Sequence, residues 1–414
     1  MNAKTIFYFF ICILLSCSKF TEDLNEDFLS YKQAKISNFN TGFPVINIKV
    51  NQEEYDEMFL NYTEDIEIEG FLNLYRNNQR VIFDELVEIE IKGTQSATFS
   101  LKSLGIKFDN TFDNSNGELL RPKTILPNHS LKKIKAFRLR NSGNDFQETL
   151  IKDISYTQLA LSSGLDLDFT YYEPTIVFVN NSFLGIMNLR SEGNTNGISR
   201  LNDVKKNAIT LVKINSPGEV EKKDGDFERI DKLLKAIEEQ NVSFLKENID
   251  INNFIDYLIF QSYIANVDWP YNNVRFYAVN ESKFRFVVYD LDWSNTRKKE
   301  RHPLDFIRNP TKYAPNEGVK NPITDLFNVL YTDPIFKSQF NNRYIDVINS
   351  EVLSSESFND FIDNNYHIIK EYMPLHIEKY SDIGTVIEWY RNIEYLKESF
   401  KKREDNILKI RPLF

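Results

Sequence analysis

Two stretches in the second half of the chain carry its most informative pattern: NVDWPYNNVRFY at residues 266–277 and VVYDLDWS at residues 287–294. Asp268 precedes Asn273 by five residues in the first stretch, and Asp290 lies in the second. Carboxylate and amide oxygens suit hard cations such as Mg²⁺, and a carboxylate can also accept a proton. The two stretches are therefore the candidate site, although a lone acid in a polar loop more often forms a turn.

The sequence around these stretches predicts how they meet. Apolar spacing predicts a helix over residues 252–265 that leads into the first stretch. Alternation predicts two short strands, 274–279 and 284–289, that form a hairpin between the two stretches. This hairpin delivers Asp290 to the end of its second strand.

Outward from this hairpin, the pattern separates a β-rich first half from a mainly helical second half. In the first half, alternating apolar residues predict strands around one main helix, and helical periodicity takes over after a boundary near residue 195. The predicted strands are 44–50, 87–92, 99–108, 135–140, 175–179 and 183–189, and the other predicted helices are 52–62, 145–162, 227–239, 323–331, 334–349, 355–379 and 383–410. The fold class expected is α+β.

Composition excludes several functional classes. The 414 residues carry 50 Lys and Arg against 60 Asp and Glu, a formal net charge of −10, which argues against nucleic acid as a partner. The only cysteines, Cys12 and Cys17, lie near the N-terminus, so the remaining chain has no thiol for catalysis or a zinc site. We find neither a P-loop nor a GxGxxG motif.

The N-terminus predicts export. An apolar run over residues 5–15 is the length of a signal-peptide core, and it ends in Leu-Leu-Ser before Cys17. This ending resembles the bacterial lipoprotein box. We therefore expect a signal peptide at residues 1–16, a lipid on Cys17 and a flexible tether over residues 17–42. The protein would then be anchored to a membrane of the cell envelope, facing the periplasm or the outside.

The order of these features resembles a protein kinase, in which a catalytic-loop Asp is followed five residues later by a metal-binding Asn, and a second Asp follows a hairpin. Further motifs make the resemblance specific. The two stretches above, together with KGTQS (92–96), LRNSGND (139–145) and VNNSFLGIMNLR (179–190), are similar to those of the CotH family of atypical kinases, over about residues 43–400.

The resemblance implies a bilobal, kinase-like fold with a β-rich N lobe at residues 43–195 and a mainly helical C lobe at residues 196–414. It also implies ATP with Mg²⁺ or Mn²⁺ as cofactor. The expected reaction is phosphoryl transfer to serine or threonine of a protein substrate that the sequence does not identify. The alternative is a catalytically silent kinase-fold lipoprotein that acts as a binding or assembly module at the cell surface.

Carried over position by position, the resemblance makes Asp268 the catalytic-loop carboxylate. Asn273, or its neighbour Asn272, would be a metal ligand. Asp290 would be the counterpart of the metal-binding Asp after the kinase hairpin, with Asp292 as a second candidate for that role. A silent relative has no chemical reason to keep Asp268, Asn273 and Asp290 together, which favours activity.

Several residues are candidates for the cation that contacts the phosphates. The family's Lys-containing strand matches Lys102 or Lys107, whereas kinase topology favours the strand before the main helix, where Arg138 and Arg140 share one face. The favoured phosphate contacts are Lys102 and Arg140. The acid paired with one of them would be Glu148 or Asp153, on the predicted helix.

Two residues depart from the family pattern. Lys92 stands where the family usually has Arg, so the turn keeps its charge but loses a planar group suited to bidentate phosphate binding. Ser191 stands where the family tends to have Glu, and Glu192 follows it. The first change predicts weaker nucleotide binding, and the second alters the expected link between the lobes.

Overall fold

The computed structural model describes residues 29–108, 119, 121–127, 131–295, 301–308 and 321–410. Within them the chain is α+β, as predicted, with a β-rich N-terminal part and a helical C-terminal part. The strands are β1 (Val45–Val50), β2 (Glu67–Arg76), β3 (Gln79–Lys92), β4 (Ser103–Phe108), β5 (Ala136–Arg140), β6 (Asp168–Phe169), β7 (Tyr172–Val179), β8 (Ser182–Ser191), β9 (Ile209–Asn215), β10 (Glu219–Asp224), β11 (Val274–Val279) and β12 (Arg285–Val288).

Seven strands close into a barrel in the order β1-β2-β3-β4-β5-β8-β7. All pairs are antiparallel except the closing pair, in which β1 runs parallel to β7 with Val45 opposite Ile176. Closure leaves no unpaired sheet edge in this part of the structure. Alternation along β3 buries Val87 and Ile89 in the core. The sequence predicted the end of β3 but missed β2.

The other five strands form a second sheet in the order β10-β9-β11-β12-β6. The predicted hairpin of β11 and β12 lies inside this sheet, and β9 pairs with β11 so that Lys213 is opposite Arg275. The short strand β6 joins the sheet edge parallel to β12, with Asp168 opposite Val287. Because β6 precedes β7 and β8 in the chain, the first half of the sequence contributes to both sheets.

The helical part follows the predicted pattern, with some helices shorter than expected. No helix in the described ranges is long and apolar enough to cross a membrane. The α-helices are α1 (Gln52–Leu60), α2 (Pro122–Ile125), α3 (Lys152–Ser162), α4 (Thr195–Leu201), α5 (Phe227–Glu238), α6 (Val242–Asn248), α7 (Ile251–Tyr263), α8 (Pro303–Arg308), α9 (Pro322–Leu330), α10 (Pro334–Asn349), α11 (Ser355–Ile369), α12 (Met373–Lys379) and α13 (Val386–Ile410).

Two predicted helices are divided. The pattern over 355–379 is split into α11 and α12, since Pro374 lacks the N–H that would continue the first helix but suits the start of the second. The pattern over 145–162 begins as a 3₁₀ helix, Gly143–Gln147, and becomes α3 only after Leu150, which has a left-handed φ of 65°. This break places Asp153 in the first turn of α3.

The packed body begins before residue 43. Phe39 is only 2% exposed and contacts the rings of Phe178, Phe183 and Tyr372. Residues 29–42 were expected to belong to a flexible tether, and this aromatic packing corrects that expectation. The expected signal peptide and Cys17 lie outside the described residues.

Candidate active site

The loop after α7 arranges three polar side chains of the first stretch. The Asp268 carboxylate accepts hydrogen bonds from the amide groups of Asn272 (2.9 Å) and Asn273 (2.7 Å). Asn273 has a left-handed φ of 57°, which asparagine tolerates better than most residues. Burial raises the pKa of Asp268, the Asn272 hydrogen bond lowers it, and the charge of Asp290 raises it further, with a net increase.

The two asparagines differ in what their carbonyl oxygens do. Asn272 donates to Asp268 and also accepts from the backbone N–H of Ser216 at 3.1 Å, so both ends of its amide are used. Asn273 donates to Asp268, which leaves its carbonyl oxygen available to a cation. This difference favours Asn273 over Asn272 as the metal ligand.

Arg140, the last residue of β5, connects the second stretch to α3. Its guanidinium pairs with Asp290 and lies 3.1 Å from Asp292, while its Nε lies 3.6 Å from Asp153. Asp153 is also paired with Arg190 of β8 at 2.7 Å and accepts the backbone N–H of Leu291 at 3.0 Å. One buried carboxylate on α3 is thereby joined to two strands and to the segment that carries Asp290.

Asp290 and Asp292 have opposite electrostatic environments. Burial tends to raise the pKa of Asp290, but the charge and hydrogen bond of Arg140, together with the charges of Arg190 and Arg275, lower that pKa overall. Burial and the neighbouring Asp290 charge raise the pKa of Asp292 well above its usual range. Asp292 accepts the Asn144 backbone N–H at 2.7 Å through Oδ2, while its Oδ1 is buried without a hydrogen-bond partner. Asp290 is therefore the more stable anion of the two.

These groups face one cleft of about 710 Å³. The cleft brings together Asp268, Asn273, Asp290 and Arg140, which are far apart in sequence, and the turn after β3 that contains Gly93 borders it. In the described part of the chain, no three His, Cys, Asp or Glu side chains form a group that could hold a metal ion by themselves. Any cation in the cleft would also need amide, water or ligand oxygens.

Further cations line the same cleft, among them Arg138 of β5, Lys213 of β9 and Arg275 of β11. Burial, and then the neighbouring Arg275 charge, lower the pKa of Arg138 and lower that of Lys213 to about 8. Arg138 was a candidate that the sequence did not favour, and Lys213 and Arg275 were not predicted. Strand alternation was the available signal for Lys213 and Arg275, but the pairing of β9 with β11 could not be predicted from local sequence.

The structure places two expected site residues elsewhere. Lys102 lies before β4 and donates to the backbone carbonyls of Ala97 (2.6 Å) and Phe99 (3.2 Å), with its ammonium over the rings of Phe59 and Tyr62. It does not line the cleft, so the expectation that it contacts phosphates is corrected.

Glu148 is the second correction. It pairs with Lys152, its side chain is 51% exposed, and it contacts neither Lys102 nor Arg140. The alternative, Asp153, holds Arg140 because the break at Leu150 turns the first turn of α3 inwards. The remaining alternative cation, Lys107, pairs with Glu88 across the strands.

The fold and the site define a class of α+β proteins in which acidic, amide and arginine side chains from both parts of the chain meet in a polar cleft. The chain belongs to the CotH kinase protein family, whose family model matches residues 89–407. The matched range includes each member of the candidate site discussed above. No curated protein matches the chain in a sequence search.

Proposed function

We propose that the protein is a kinase-like phosphotransferase that moves the γ-phosphoryl group of ATP to a serine or threonine hydroxyl of a protein substrate. Its N lobe would be residues 43–195 and its C lobe residues 196–414, with the cleft between them. Family membership supports a kinase-like activity. The observation that carries the finer proposal is the meeting of Asp268, Asn273 and Asp290 in one cleft beside Arg140.

Asp268 accepts the proton of the attacking hydroxyl. Two amide hydrogen bonds hold its carboxylate in place, and burial raises its pKa, which makes it a better proton acceptor than an ordinary surface aspartate. The same hydrogen bonds restrict the direction in which the carboxylate can face. Such positioning contributes to phosphoryl transfer because little covalent chemistry is left to the protein.

The donor atoms of this cleft fit Mg²⁺ or Mn²⁺. Asn273 and Asp290 would hold the ion, with Asp292 as a further ligand whose Oδ1 is buried and lacks a hydrogen-bond partner. An ion that takes few protein ligands completes its shell with water and phosphate oxygens. When bound, it supplies positive charge to those oxygens.

Arg140 orients Asp290 and contributes positive charge on the barrel side of the cleft. Its pair with Asp153 on α3 corresponds to the pair of strand cation and helix acid in protein kinases. A planar guanidinium can contact several carboxylate or phosphate oxygens at once, which a lysine ammonium does less well. We therefore assign the phosphate contact to Arg140 and not to Lys102.

The test is transfer of labelled phosphate from ATP, with Mg²⁺ or Mn²⁺, to the protein itself and to an acidic, casein-like acceptor. Asp268→Ala and Asp290→Ala should each lower the transfer rate at least about 100-fold, since each removes a group that acts in the reaction. Lys102→Met is the control and should keep most activity. Equal transfer by the unmodified protein and both Asp variants would overturn the assignment, and binding of ATP with no transfer in any protein would favour the silent alternative.

We also propose that the protein is anchored in the cell envelope through a lipid on Cys17. Support comes from the apolar run over residues 5–15 and the small residue before the cysteine. Cys17→Ser, expressed in a bacterial host, should move the protein from the membrane fraction to the soluble fraction, with Cys12→Ser as the matched control. Unchanged membrane association of the Cys17 variant would contradict the proposal.

A further inference from the structure

The cations Arg138, Lys213 and Arg275 form a cluster that the proposed transfer chemistry does not use, and we call it the cationic trio. Arg275 and Lys213 are directly opposite each other on β11 and β9, and Arg138 faces the same cleft from β5. Like charges placed opposite each other on a sheet destabilise it. A ligand of opposite charge would remove that repulsion.

The acids near the trio are engaged with other partners. Glu90 pairs with Lys92, Glu221 pairs with Lys223 at 2.9 Å, and Glu192 accepts the amide of Asn194 at 2.9 Å. Among the residues that the structure describes, no carboxylate lies within ion-pair distance of any member of the trio. The Nε atoms of Arg138 and Arg275 are also buried without a hydrogen-bond partner. Glu192 near Arg138 and Glu221 near Lys213 offset part of the charge without a direct ion pair, so an anion that pairs directly with these cations would stabilise them further.

The backbone near the trio is shaped around Arg275. A side chain at Gly193 would place its Cβ 2.5 Å from a terminal nitrogen of Arg275, so the guanidinium would have to move from its present position. On another side, the guanidinium lies 3.9 Å from the ring centre of Tyr289, the residue before Asp290. Arg275 is thereby held next to the segment that carries the candidate metal ligand.

We propose that the cationic trio binds a phosphate group of the nucleotide. The identity of the ligand as the nucleotide rests on the proposed function, whereas the binding of a phosphate anion does not. The trio lines a cleft of about 710 Å³ with walls from both sheets, and this volume suits a small ligand such as a polyphosphate. Arginine and lysine together offer charge-assisted hydrogen bonds to several phosphate oxygens.

The probe is inorganic tripolyphosphate, titrated calorimetrically into the full chain in the presence of EDTA. Lys213→Met and Arg275→Met should each weaken binding at least about tenfold, the size expected for losing a charged hydrogen-bonding partner. Lys222→Met removes one charge from the neighbouring strand β10, where Lys222 pairs with Asp231, and should stay within about twofold of the unmodified protein. Equal binding by the two trio variants and the Lys222 variant would overturn the proposal.

Two more measurements test whether Lys213 binds the anion or only supports the fold, and which part of ATP the trio contacts. The ligand-free Lys213→Met variant should melt at the same temperature as the unmodified protein or higher, because repulsion is relieved; a lower melting temperature together with unchanged binding would show a structural role and overturn the proposal. ATP should displace tripolyphosphate and adenosine should not, whereas displacement by adenosine would assign this end of the cleft to the base and also overturn it.

The proposed function can fail independently of this inference. If no protein transfers phosphate, but tripolyphosphate binding still depends on Lys213 and Arg275, the anion site stands and the enzymatic proposal falls. If Asp268→Asn abolishes transfer while the trio variants bind tripolyphosphate normally, the enzymatic proposal stands and the anion site falls.

Discussion

His376 is a single residue whose burial links folding to pH. It is 0% exposed, and its Nδ1 accepts the backbone N–H of Ile186 on β8 at 3.0 Å, which requires the neutral ring. Burial, helped by the nearby Lys379 charge, lowers the pKa of His376 from 6.5 to about 3. Below pH 6.5 the unfolded chain therefore takes up a proton that the folded chain refuses, and stability falls as the pH drops toward 3.

We expect His376→Gln to remove this part of the pH dependence. A glutamine carbonyl can still accept the Ile186 N–H, and it does not titrate. Between pH 7.5 and pH 5.0, the loss of unfolding free energy should be smaller in the variant by about 2 kcal/mol, which is 1.5 pH units at 1.36 kcal/mol each.

Urea unfolding followed by circular dichroism at the two pH values measures this difference. His367→Gln, at an exposed position on α11, is the matched control and should show the pH dependence of the unmodified protein. An identical loss between pH 7.5 and 5.0 in the unmodified chain and in the His376 variant would rule out this residue as the source.

Residue-level prediction from sequence succeeded where the signal was local. Asp268 and Asn273 share one short loop, and Asp290 follows a hairpin, so the spacing together with the resemblance to protein kinases predicted that they meet. Lys102 failed because its position in sequence does not reveal that nearby backbone carbonyls and two aromatic rings hold its ammonium. Lys213 was missed because its partner Arg275 is opposite it only through a long-range strand pairing.

At the scale of elements, the first turn of α3 distinguishes two acids that the sequence could not separate. Asp153 has a side chain only 3% exposed and is shared by Arg140 and Arg190, whereas Glu148 is half exposed and paired with Lys152. Neutralising this buried acid removes the carboxylate that Arg190 pairs with and leaves Arg140 with Asp290 and Asp292 alone. An exposed ion pair contributes little because water and salt screen it.

We therefore expect Asp153→Asn to lower the free energy of unfolding by about 3 kcal/mol and Glu148→Gln by less than about 1 kcal/mol. Chemical denaturation at pH 7.5 checks both values. The Asp153 variant should also lose activity, because α3 no longer fixes Arg140 beside Asp290. Similar stability of the two variants would contradict the burial argument and leave α3 without a special role.

Strand segments were easier to predict from sequence than the pairing between strands. The alternation in β1 and the end of β3 predicted strands, but β2 was missed, and nothing local indicated that β1 closes the barrel by pairing with β7. The helix predicted over 145–162 failed at Leu150, a buried residue whose left-handed conformation helical periodicity cannot reveal. Because α3 begins after this break, Asp153 and not Glu148 contacts Arg140.

At the scale of the whole molecule, the cleft takes its walls from both sheets and from the loops between them. Arg138 and Arg140 come from the barrel, Lys213 and Arg275 from the second sheet, and Asp290 follows that sheet. A ligand that contacts all of these groups binds the folded chain and not the unfolded one. Such a ligand raises stability by mass action, by about 2.7 kcal/mol at a concentration 100 times its dissociation constant.

We expect the melting temperature to rise with ATP alone and to rise further when Mg²⁺ is added, because phosphate contacts and metal contacts are made by different side chains. Differential scanning fluorimetry of the unmodified chain, Asp290→Asn and Lys213→Met separates the two contributions. Asp290→Asn should lose the increment due to Mg²⁺ and keep that due to ATP alone, whereas Lys213→Met should show a smaller increment with ATP alone, because its anion binding is weaker. Loss of both increments in both variants would contradict separate phosphate and metal contacts. If ATP does not raise the melting temperature of the unmodified chain, ATP is not the ligand of the cleft.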